Sequence, residues 1–252
     1  TPVDRARHRE HFVAVDDRGS LVYRQRGASG NTLRASVLGA NDGLVSNASL
    51  VMGMAGAASD NGVVLLAGLA GLIAGACSMA LGEWLSVESS REFYQAQITA
   101  RAERLAVAPE EGERSIANIY RAKGLESAKA DQLAEHLTDN LATALDTLVR
   151  EDLGVDPADL GGSAWSAAIS SFCFFALGAI FPVAPYLALG GDIALFTSMG
   201  TTFVGLCLIA IGTSLFTGRS LVFSIARQLL ITAAAAAITF SIGYLLGTAV
   251  AG

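Results

Sequence analysis

The chain has 252 residues, of which 52% are hydrophobic, 16% are charged and 27 are glycines, and its net charge is −6. This composition is more apolar and richer in glycine than that of an average soluble domain. The negative charge and the absence of clustered lysine and arginine in the sequence exclude a nucleic-acid-binding surface.

The charged residues are unevenly distributed along the chain. Residues 35–82 and 160–252 carry almost no charge, whereas residues 83–159 hold most of the acids. A helix needs roughly 20 apolar residues to cross a bilayer core of about 30 Å. Five segments meet this requirement, and they are 35–57, 62–87, 164–189, 193–217 and 221–250. We therefore predict an all-α membrane protein with five transmembrane helices.

The basic residues all lie on one side of the predicted membrane. Of the 17 lysines and arginines, seven precede residue 35, eight lie between spans two and three, and Arg219 and Arg227 flank the loop before span five. Loops rich in lysine and arginine stay on the cytoplasmic side of a membrane. The predicted parts are a cytoplasmic N-terminal segment (1–34), spans one and two (35–87), a cytoplasmic insert (88–160, here the polar insert) and spans three to five (161–252).

The polar insert is predicted to contain three helices. The first continues span two to about residue 107, and Pro109, which lacks a backbone N–H, suits the first turn of the second helix. Ser127 is predicted to cap a third helix that ends near Gly154.

Span one contains an aspartate, Asp42, among apolar residues. A charged side chain at the centre of a bilayer costs about 2.5 kcal/mol or more on insertion scales, so a functional role is the first hypothesis. On a helix, Asp42 begins a narrow polar stripe with steps of three and four residues. The other members of this stripe are Ser46, Ser49 and Gly53. The alternative is a carboxylate that only holds helices together.

Span two carries three glycines followed by two candidate ligands. Gly68, Gly71 and Gly75 are typical of close helix packing. Met79 and Glu83 follow at steps of four, and a thioether beside a carboxylate suits a borderline ion such as Fe(II) better than Mg(II) or Ca(II). Packing alone is the alternative for Met79.

Two motifs resemble those of the vacuolar iron transporter family. They are the run GANDGLVSN at residues 39–47 and the run ACSMALGEWLS at residues 76–86, and the sequence FPVAPY at 181–186 resembles the family's break in span three. The resemblance implies five spans with a cytoplasmic helical insert, a homodimer, and an ion pathway at the subunit interface. It also implies that Asp42 and Met79 bind the transported ion, whereas Glu83 is present in only some members.

The resemblance further implies transport of Fe(II) first and Mn(II) second, in exchange for protons. Ligation requires a deprotonated aspartate, which gives proton exchange a physical route. The metal is then the substrate, and we expect neither a cofactor nor enzyme activity. We expect the cell (inner) membrane as the location in a bacterium and the vacuolar membrane in a eukaryote.

The polar insert departs from the family's pattern. Members with a metal-binding insert carry glutamates at positions that are here Arg101, Arg104, Gly112 and Ser115. If the helices fold back at Pro109, the remaining acids can converge as a weak cation-collecting site. These acids are Glu103, Glu110, Glu113 and Asp152. The alternative is a solvated helix surface that binds no metal.

Two other classes of protein compete with a transporter. A membrane scaffold would use the glycines for assembly and Asp42 for an interhelical hydrogen bond. An intramembrane enzyme needs an acid–base group in the membrane, but all three histidines lie outside the apolar segments. The preferred interpretation is a transporter whose partners are divalent metal ions, protons, membrane lipid and a second copy of the chain.

Overall fold

The computed structural model contains eight α-helices and one short strand pair among the residues that it describes. These residues are 13–15, 21–23, 27–57, 60–157, 160, 162–218 and 220–251. The strands are β1 (Val13–Val15) and β2 (Leu21–Tyr23). The helices are α1 (Gly27–Gly56), α2 (Asn61–Val107), α3 (Pro109–Ala122), α4 (Ser127–Thr138), α5 (Leu141–Leu148), α6 (Ala164–Val183), α7 (Gly191–Thr217) and α8 (Leu221–Ala251).

A short strand pair precedes the helices, and the rest of the described structure is helical as predicted. β1 and β2 are antiparallel, with Val13 opposite Tyr23 and Val15 opposite Leu21. β-branched and aromatic residues such as these are enriched in strands. The rest of the predicted N-terminal segment up to residue 26, and Arg219 in the predicted loop before span five, lie outside the described residues.

α2 is one continuous helix. Its 47 residues make it about 70 Å long at 1.5 Å per residue, more than twice the bilayer core of about 30 Å. The carboxylate of Asp60 caps its start by accepting the N–H of Gly62 at 2.9 Å. Span two therefore continues into the polar insert as predicted, and Pro109 is the first residue of α3, also as predicted.

Two tryptophans mark the level at which α2 leaves the apolar bundle. The rings of Trp84 in α2 and Trp165 in α6 are 6.0 Å apart between centroids, and Trp84 packs beside buried Val87 and Ala164. Tryptophan is enriched at membrane–water interfaces. From Asn61 to Trp84, α2 rises about 35 Å, which matches the thickness of a bilayer core with its boundary.

Among the residues that the structure describes, four helices are long and apolar enough to cross a membrane. They are α2, α6 with the 3₁₀ turn that follows it (Ala184–Leu187), α7 and α8. Predicted spans two to five are therefore confirmed in length and composition. α1 is not among the four, although its 30 residues are long enough. The amides and the carboxylate of Asn41, Asp42 and Asn47 lower its hydropathy.

α1 packs in the centre of the helix bundle and contacts α2, α6, α7 and α8. Glycines allow its backbone to lie against two of these neighbours. A Cβ atom added at Gly43 would lie 2.1 Å from the carbonyl oxygen of Phe175 in α6. A Cβ atom added at Gly243 of α8 would lie 1.9 Å from the carbonyl oxygen of Gly53. Only glycine permits such an approach of backbone to backbone.

The helices of the polar insert pack around a small core of their own. This core is formed by Leu105 of α2, Ile116 of α3, Ala134 of α4, and Ala144 and Leu148 of α5. The hydrophobic effect of burying these side chains holds α3, α4 and α5 against the end of α2.

The predicted third helix of the insert is two helices, α4 and α5. They are separate because Asn140 caps α5, its side chain accepting the N–H of Ala142 at 2.9 Å. A π-helical turn (Val149–Leu153) follows α5 and ends at Gly154, where the sequence predicted the end. Ser127 does not cap α4, because it is already the first helical residue and makes no side-chain capping bond.

Candidate functional site

One face of α1 is left exposed by the helices that the structure describes. Its residues follow at steps of four, and they are Leu38, Asp42, Ser46 and Leu50. We call this face the exposed α1 stripe. It contains the predicted Asp42 and Ser46, whereas Ser49 is half-buried beside it. Gly53, also predicted to belong to the stripe, follows Asp42 by eleven residues on the same face, but at its level Thr239 of α8 covers that face.

The carboxylate of Asp42 makes no hydrogen bond or ion pair with any residue in the described ranges. The two nearby serines are satisfied within their own helix, a common arrangement for serine in apolar helices. Ser46 donates to the main-chain carbonyl of Asp42, and Ser49 donates to the carbonyl of Val45 at 2.8 Å. The Asp42 carboxylate is therefore the strongest available ligand on the exposed α1 stripe.

Asn47 joins α1 to two other helices. Its amide donates to the carbonyl of Gly68 in α2 at 3.1 Å and to that of Ala179 in α6 at 3.0 Å. The side chain is only 2% exposed. The sequence analysis missed this role. The signal that was present is an amide within an apolar span, which needs hydrogen-bond partners there.

The contacts of Asn47 fix the depth of Asp42. Asn47 bonds Gly68 and lies beside Gly71 of the antiparallel α2. Asp42 is five residues earlier in α1, so it lies level with residues 73–76 of α2. That level is about 18 to 22 Å from the start of α2. It is near the middle of the apolar part of α2, which rises about 35 Å from Asn61 to Trp84.

Met79 packs at the contact of α2 with α6. It is half-buried against the buried residues Ala76, Phe175 and Ala179. It lies three to six residues beyond the level of Asp42, which is about 5 to 9 Å along α2. The three glycines that precede it make close contacts, as the sequence predicted. A Cβ atom at Gly75 would lie 2.3 Å from the ring of Phe175.

The structure does not bring Asp42 and Met79 together within one chain. Asn47 faces α2 and α6, and Asp42 lies about 140° away from it around the helix axis, because five residues turn through about 500°. Met79 faces α6. Asp42 and Met79 thus lie at neighbouring depths, but Asp42 is on the side of α1 away from α2 and α6, whereas Met79 is on the side of α2 that contacts α6.

Glu83 lies at the boundary of the membrane region. It directly precedes Trp84 in the sequence and is half-buried. It follows Met79 by four residues, about 6 Å further along α2. Glu83, Met79 and Asp42 therefore form a series of depths from the boundary to the middle of the membrane.

The predicted break in span three is confirmed and lies against α7. Pro182 is within α6, and Pro185 lacks the N–H that would bond the carbonyl of Phe181. The hydroxyl of Thr201 donates to that carbonyl at 2.7 Å, and the hydroxyl of Ser198 donates to the carbonyl of Pro182 at 2.6 Å. Hydroxyls of α7 thus satisfy the backbone at the break, as an apolar environment requires.

The structure does not gather the four acids that were predicted to converge in the polar insert. Glu103 and Glu110 are exposed, and Glu113 is half-buried. Within the described ranges, no group of three or more histidine, cysteine, aspartate or glutamate side chains is placed to hold a metal ion.

Asp152, the fourth of these acids, is paired with an arginine. Arg101 donates to its Oδ2 from Nε at 3.2 Å and from Nη2 at 2.6 Å, and also donates to Gln97 Oε1 at 2.7 Å. Arg101 and Asp152 line a cavity of about 280 Å³ together with Arg104 and Ser115. A guanidinium therefore occupies the position at which a cation would have to meet Asp152.

Further ion pairs fix the turn after α5. Arg150 contacts Asp146 at 2.8 Å and Asp156 at 2.8 Å. Its hydrogen bonds, first with Asp146 and then with Asp156, raise the pKa of Arg150 above its usual value. Lys123 pairs with Glu151. The acids in this part of the insert thus form ion pairs with basic side chains and are not arranged as the ligands of a cation site.

A bundle of long apolar helices, with a carboxylate at mid-depth and a polar helical insert, defines an integral membrane protein. The sequence profile of the VIT family matches residues 33–244. The chain belongs to the VIT family, whose members are transporters and not enzymes. The resemblance seen in the two sequence motifs is thereby confirmed.

Three relatives match most of the chain. Vacuolar iron transporter 1 of Oryza sativa subsp. japonica is 30% identical over 213 residues, which are 84% of each chain. A vacuolar iron transporter of Centaurea cyanus is 28% identical over 238 residues, 93% of this chain and 90% of the relative. Vacuolar iron transporter 1 of Arabidopsis thaliana is 29% identical over 216 residues, 84% of this chain and 85% of the relative.

Proposed function

We propose that this protein carries Fe(II) as its first substrate and Mn(II) as its second across a membrane, in exchange for protons. The observation that carries the proposal is the Asp42 carboxylate, which lies at mid-depth and pairs with no described residue. An ionised carboxylate there is unfavourable by about 2.5 kcal/mol or more. A bound proton or metal ion removes that cost. The names of the relatives, which are vacuolar iron transporters, support iron as the ion.

In this proposal α1 is a fifth transmembrane helix. Its 30 residues extend about 45 Å, and it packs among four helices that are long and apolar enough to cross a membrane. The distribution of lysine and arginine favours a cytoplasmic N-terminal segment and a cytoplasmic polar insert. The α7–α8 loop, which contains Arg219, is then cytoplasmic as well.

The exposed α1 stripe is the proposed contact between two copies of the chain. Lipid against Asp42 would leave its carboxylate in hydrocarbon, whereas a second copy can enclose it around water. A two-fold axis beside the stripe would bring two Asp42 carboxylates towards each other. Leu38 and Leu50 at its ends supply apolar contact. The ion pathway would run between the two stripes.

The three ligands of the membrane region would act at successive depths. Glu83 at the boundary meets the ion first, Met79 follows about 6 Å deeper, and Asp42 binds it near the middle. Methionine is flexible enough to turn its sulfur from the α6 contact towards a passing ion. A thioether on the route favours Fe(II) over harder ions.

Proton exchange follows from the chemistry of one carboxylate. Asp42 binds a metal ion in its deprotonated form, so binding releases a proton, and protonation releases the ion. The carboxylate cannot hold a proton and a metal ion at the same time. This mutual exclusion couples the movement of metal ions to that of protons.

The proposed role of the polar insert is electrostatic. Residues 88–160 contain 15 acidic and 8 basic residues, so their summed field is negative and raises the local concentration of cations. Glu103, Glu110 and Glu113 contribute through this field and not as a fixed coordination shell.

Metal uptake into liposomes with an enclosed metal-sensitive dye tests the proposal. We expect uptake of Fe(II) and Mn(II) by the full-length protein and its loss in Asp42→Asn. Asp192→Asn, which changes an exposed carboxylate in the first turn of α7, is the matched control and should transport normally. No uptake by the wild type would favour a membrane scaffold, and normal uptake by Asp42→Asn would remove the carboxylate from the mechanism.

A further inference from the structure

Arg227 is the single charged residue of α8 (Leu221–Ala251). It makes no hydrogen bond or ion pair with any residue that the structure describes. Residues 193–252 contain no aspartate or glutamate, so α8, and α7 beyond its first turn, offer no carboxylate as a partner. A charged side chain within a membrane span costs about 2.5 kcal/mol or more, and such residues pair with another group and have a function by default.

The face of α8 that carries Arg227 is turned away from the helix bundle. Arg227 precedes the buried Thr232 by five residues, which places it about 140° away around the helix. Its neighbours on the outer face are large, apolar and exposed, and they are Phe223, Leu230 and Ile231. In a bilayer, side chains on the outer face of an apolar span contact lipid. The guanidinium is therefore attached to a lipid-facing surface.

The depth at which α8 begins follows from the contacts of α1. Gly53 of α1 lies against Thr239 of α8, and Asn47 of α1 bonds Gly68 of α2. Counting back through these two contacts places Leu221 about one turn from the level of the tryptophan pair. α8 thus begins close to the membrane boundary on the side of the polar insert.

The guanidinium of Arg227 is held on the side of that boundary. Its Cζ atom is 5.9 Å from the centroid of the Phe223 ring, and Phe223 is one turn nearer the start of α8. Side chains on a helix lean towards its N-terminus, and arginine keeps its charge at the interface while its stem lies along apolar surface. The cation–π contact with Phe223 holds the guanidinium in this direction, which is towards the lipid phosphates.

We propose that Arg227 binds the phosphate of an anionic phospholipid in the leaflet on the side of the polar insert. A guanidinium offers parallel N–H donors that match a pair of phosphate oxygens. The acyl chains of the same lipid would lie along the exposed apolar face of α8. The site is independent of the proposed metal transport, because it requires only that α8 spans a membrane.

The charge around the site selects an anionic lipid over a zwitterionic one. Arg219 and Arg227 are the two charged residues of the sequence from 193 to 252, and both are positive. A lipid with a choline group brings a cation that the two arginines repel, whereas an anionic lipid brings none. Anionic lipids are enriched in the cytoplasmic leaflet, which is the leaflet of the site in the proposed orientation.

Thermal unfolding of the full chain in a neutral detergent tests the site, because a ligand of the folded state raises Tm. The probes are phosphatidylglycerol, which is anionic, and phosphatidylcholine. We expect phosphatidylglycerol to raise Tm more than phosphatidylcholine does. In Arg227→Gln the apparent affinity for phosphatidylglycerol should fall about fivefold, as expected for the loss of one arginine near a membrane surface.

Two further variants separate binding from folding. Arg114→Gln, which changes an exposed arginine of α3, is the matched control and should keep the wild-type response to phosphatidylglycerol. Arg227→Lys keeps the charge but not the paired donors, so it should keep the preference for the anionic lipid at reduced affinity. Native mass spectrometry should count one phosphatidylglycerol fewer per chain in Arg227→Gln than in the wild type.

Four results would overturn the proposal. An equal response of the wild type and Arg227→Gln to phosphatidylglycerol would show that Arg227 does not bind it. An equal response of the wild type to both lipids would show no selection of charge. A response of the same size to inorganic phosphate would assign the site to the free anion. Dissociation of a dimer in Arg227→Gln without lipid, seen by size-exclusion chromatography, would instead pair Arg227 with a second copy of the chain.

Discussion

Two polar residues of α1, five positions apart, have opposite surroundings. Asn47 is buried and bonds two neighbouring helices, whereas Asp42 lies on the exposed α1 stripe. The sequence predicted Asp42 and Ser46 as members of a polar stripe, because helix periodicity is local. It did not show which face would be covered, since the covering helices α6 and α8 come more than 100 residues later. For the same reason the sequence did not show that α8 covers this face at the level of Gly53.

At the residue scale, the first prediction separates the two roles of Met79. Met79→Leu preserves volume and should cost less than about 1.5 kcal/mol in stability, but it removes the sulfur. We expect Fe(II) uptake to fall more than Mn(II) uptake, because the thioether favours the softer ion. Initial rates in liposomes, with each metal in turn, measure the ratio.

Met54→Leu is the matched control for this change. Met54 packs in an apolar cluster with Val51 and Val183 and is not a candidate ligand. Its replacement should leave the ratio of Fe(II) to Mn(II) uptake as it is in the wild type. Equal losses of both metals in Met79→Leu would assign Met79 to packing alone.

The helices show which structural features can be predicted from residues that are close together in the sequence. The continuation of α2 to Val107, the start of α3 at Pro109 and the break after Pro182 were predicted, because proline chemistry acts within one turn. The division between α4 and α5 was missed, although Asn140 is a typical cap. The pairing of Arg101 with Asp152 joins residues 51 positions apart, and no local pattern indicates it.

At the element scale, the contact of α1 with α6 depends on Gly43. In Gly43→Ala the new methyl group would meet the backbone oxygen of Phe175 at 2.1 Å, so the helices must separate, at a cost of about 1–3 kcal/mol. Gly200→Ala in α7 is the control, because nothing lies within 4 Å of its added methyl group. Thermal unfolding in detergent should show a lower Tm for Gly43→Ala only, and equal Tm values would contradict this packing.

A charge reversal tests the interpretation of the polar insert. Arg101→Glu would place a third carboxylate in the cavity that Glu111 and Asp152 already line, and several such oxygens are what a divalent cation requires. We expect one additional Mn(II) bound per chain by calorimetric titration in detergent. Arg114→Glu, at an exposed position outside the cavity, should add none. An unchanged stoichiometry in Arg101→Glu would show that the ion pair is not what prevents binding.

In the whole molecule, the separation of charge along the chain corresponds to two structural parts. The apolar segments form the membrane bundle, and the acidic segment forms helices around a separate small core. The sequence predicted this division because hydropathy depends on composition. It could not predict the depth series of Glu83, Met79 and Asp42, which depends on the register that Asn47 fixes between α1 and α2.

The central claim is that Asp42 exchanges a metal ion for a proton. The measurement that tests it most directly is the initial rate of Fe(II) uptake into liposomes whose lumen is more acidic than the bath, compared with liposomes at equal pH. Because protonation of Asp42 on the acidic side releases the ion, the account predicts faster uptake into the acidic lumen for the wild type and for Asp192→Asn. It predicts no uptake for Asp42→Asn at either pH. A wild-type rate that does not respond to the imposed proton gradient would contradict the account and indicate a uniporter.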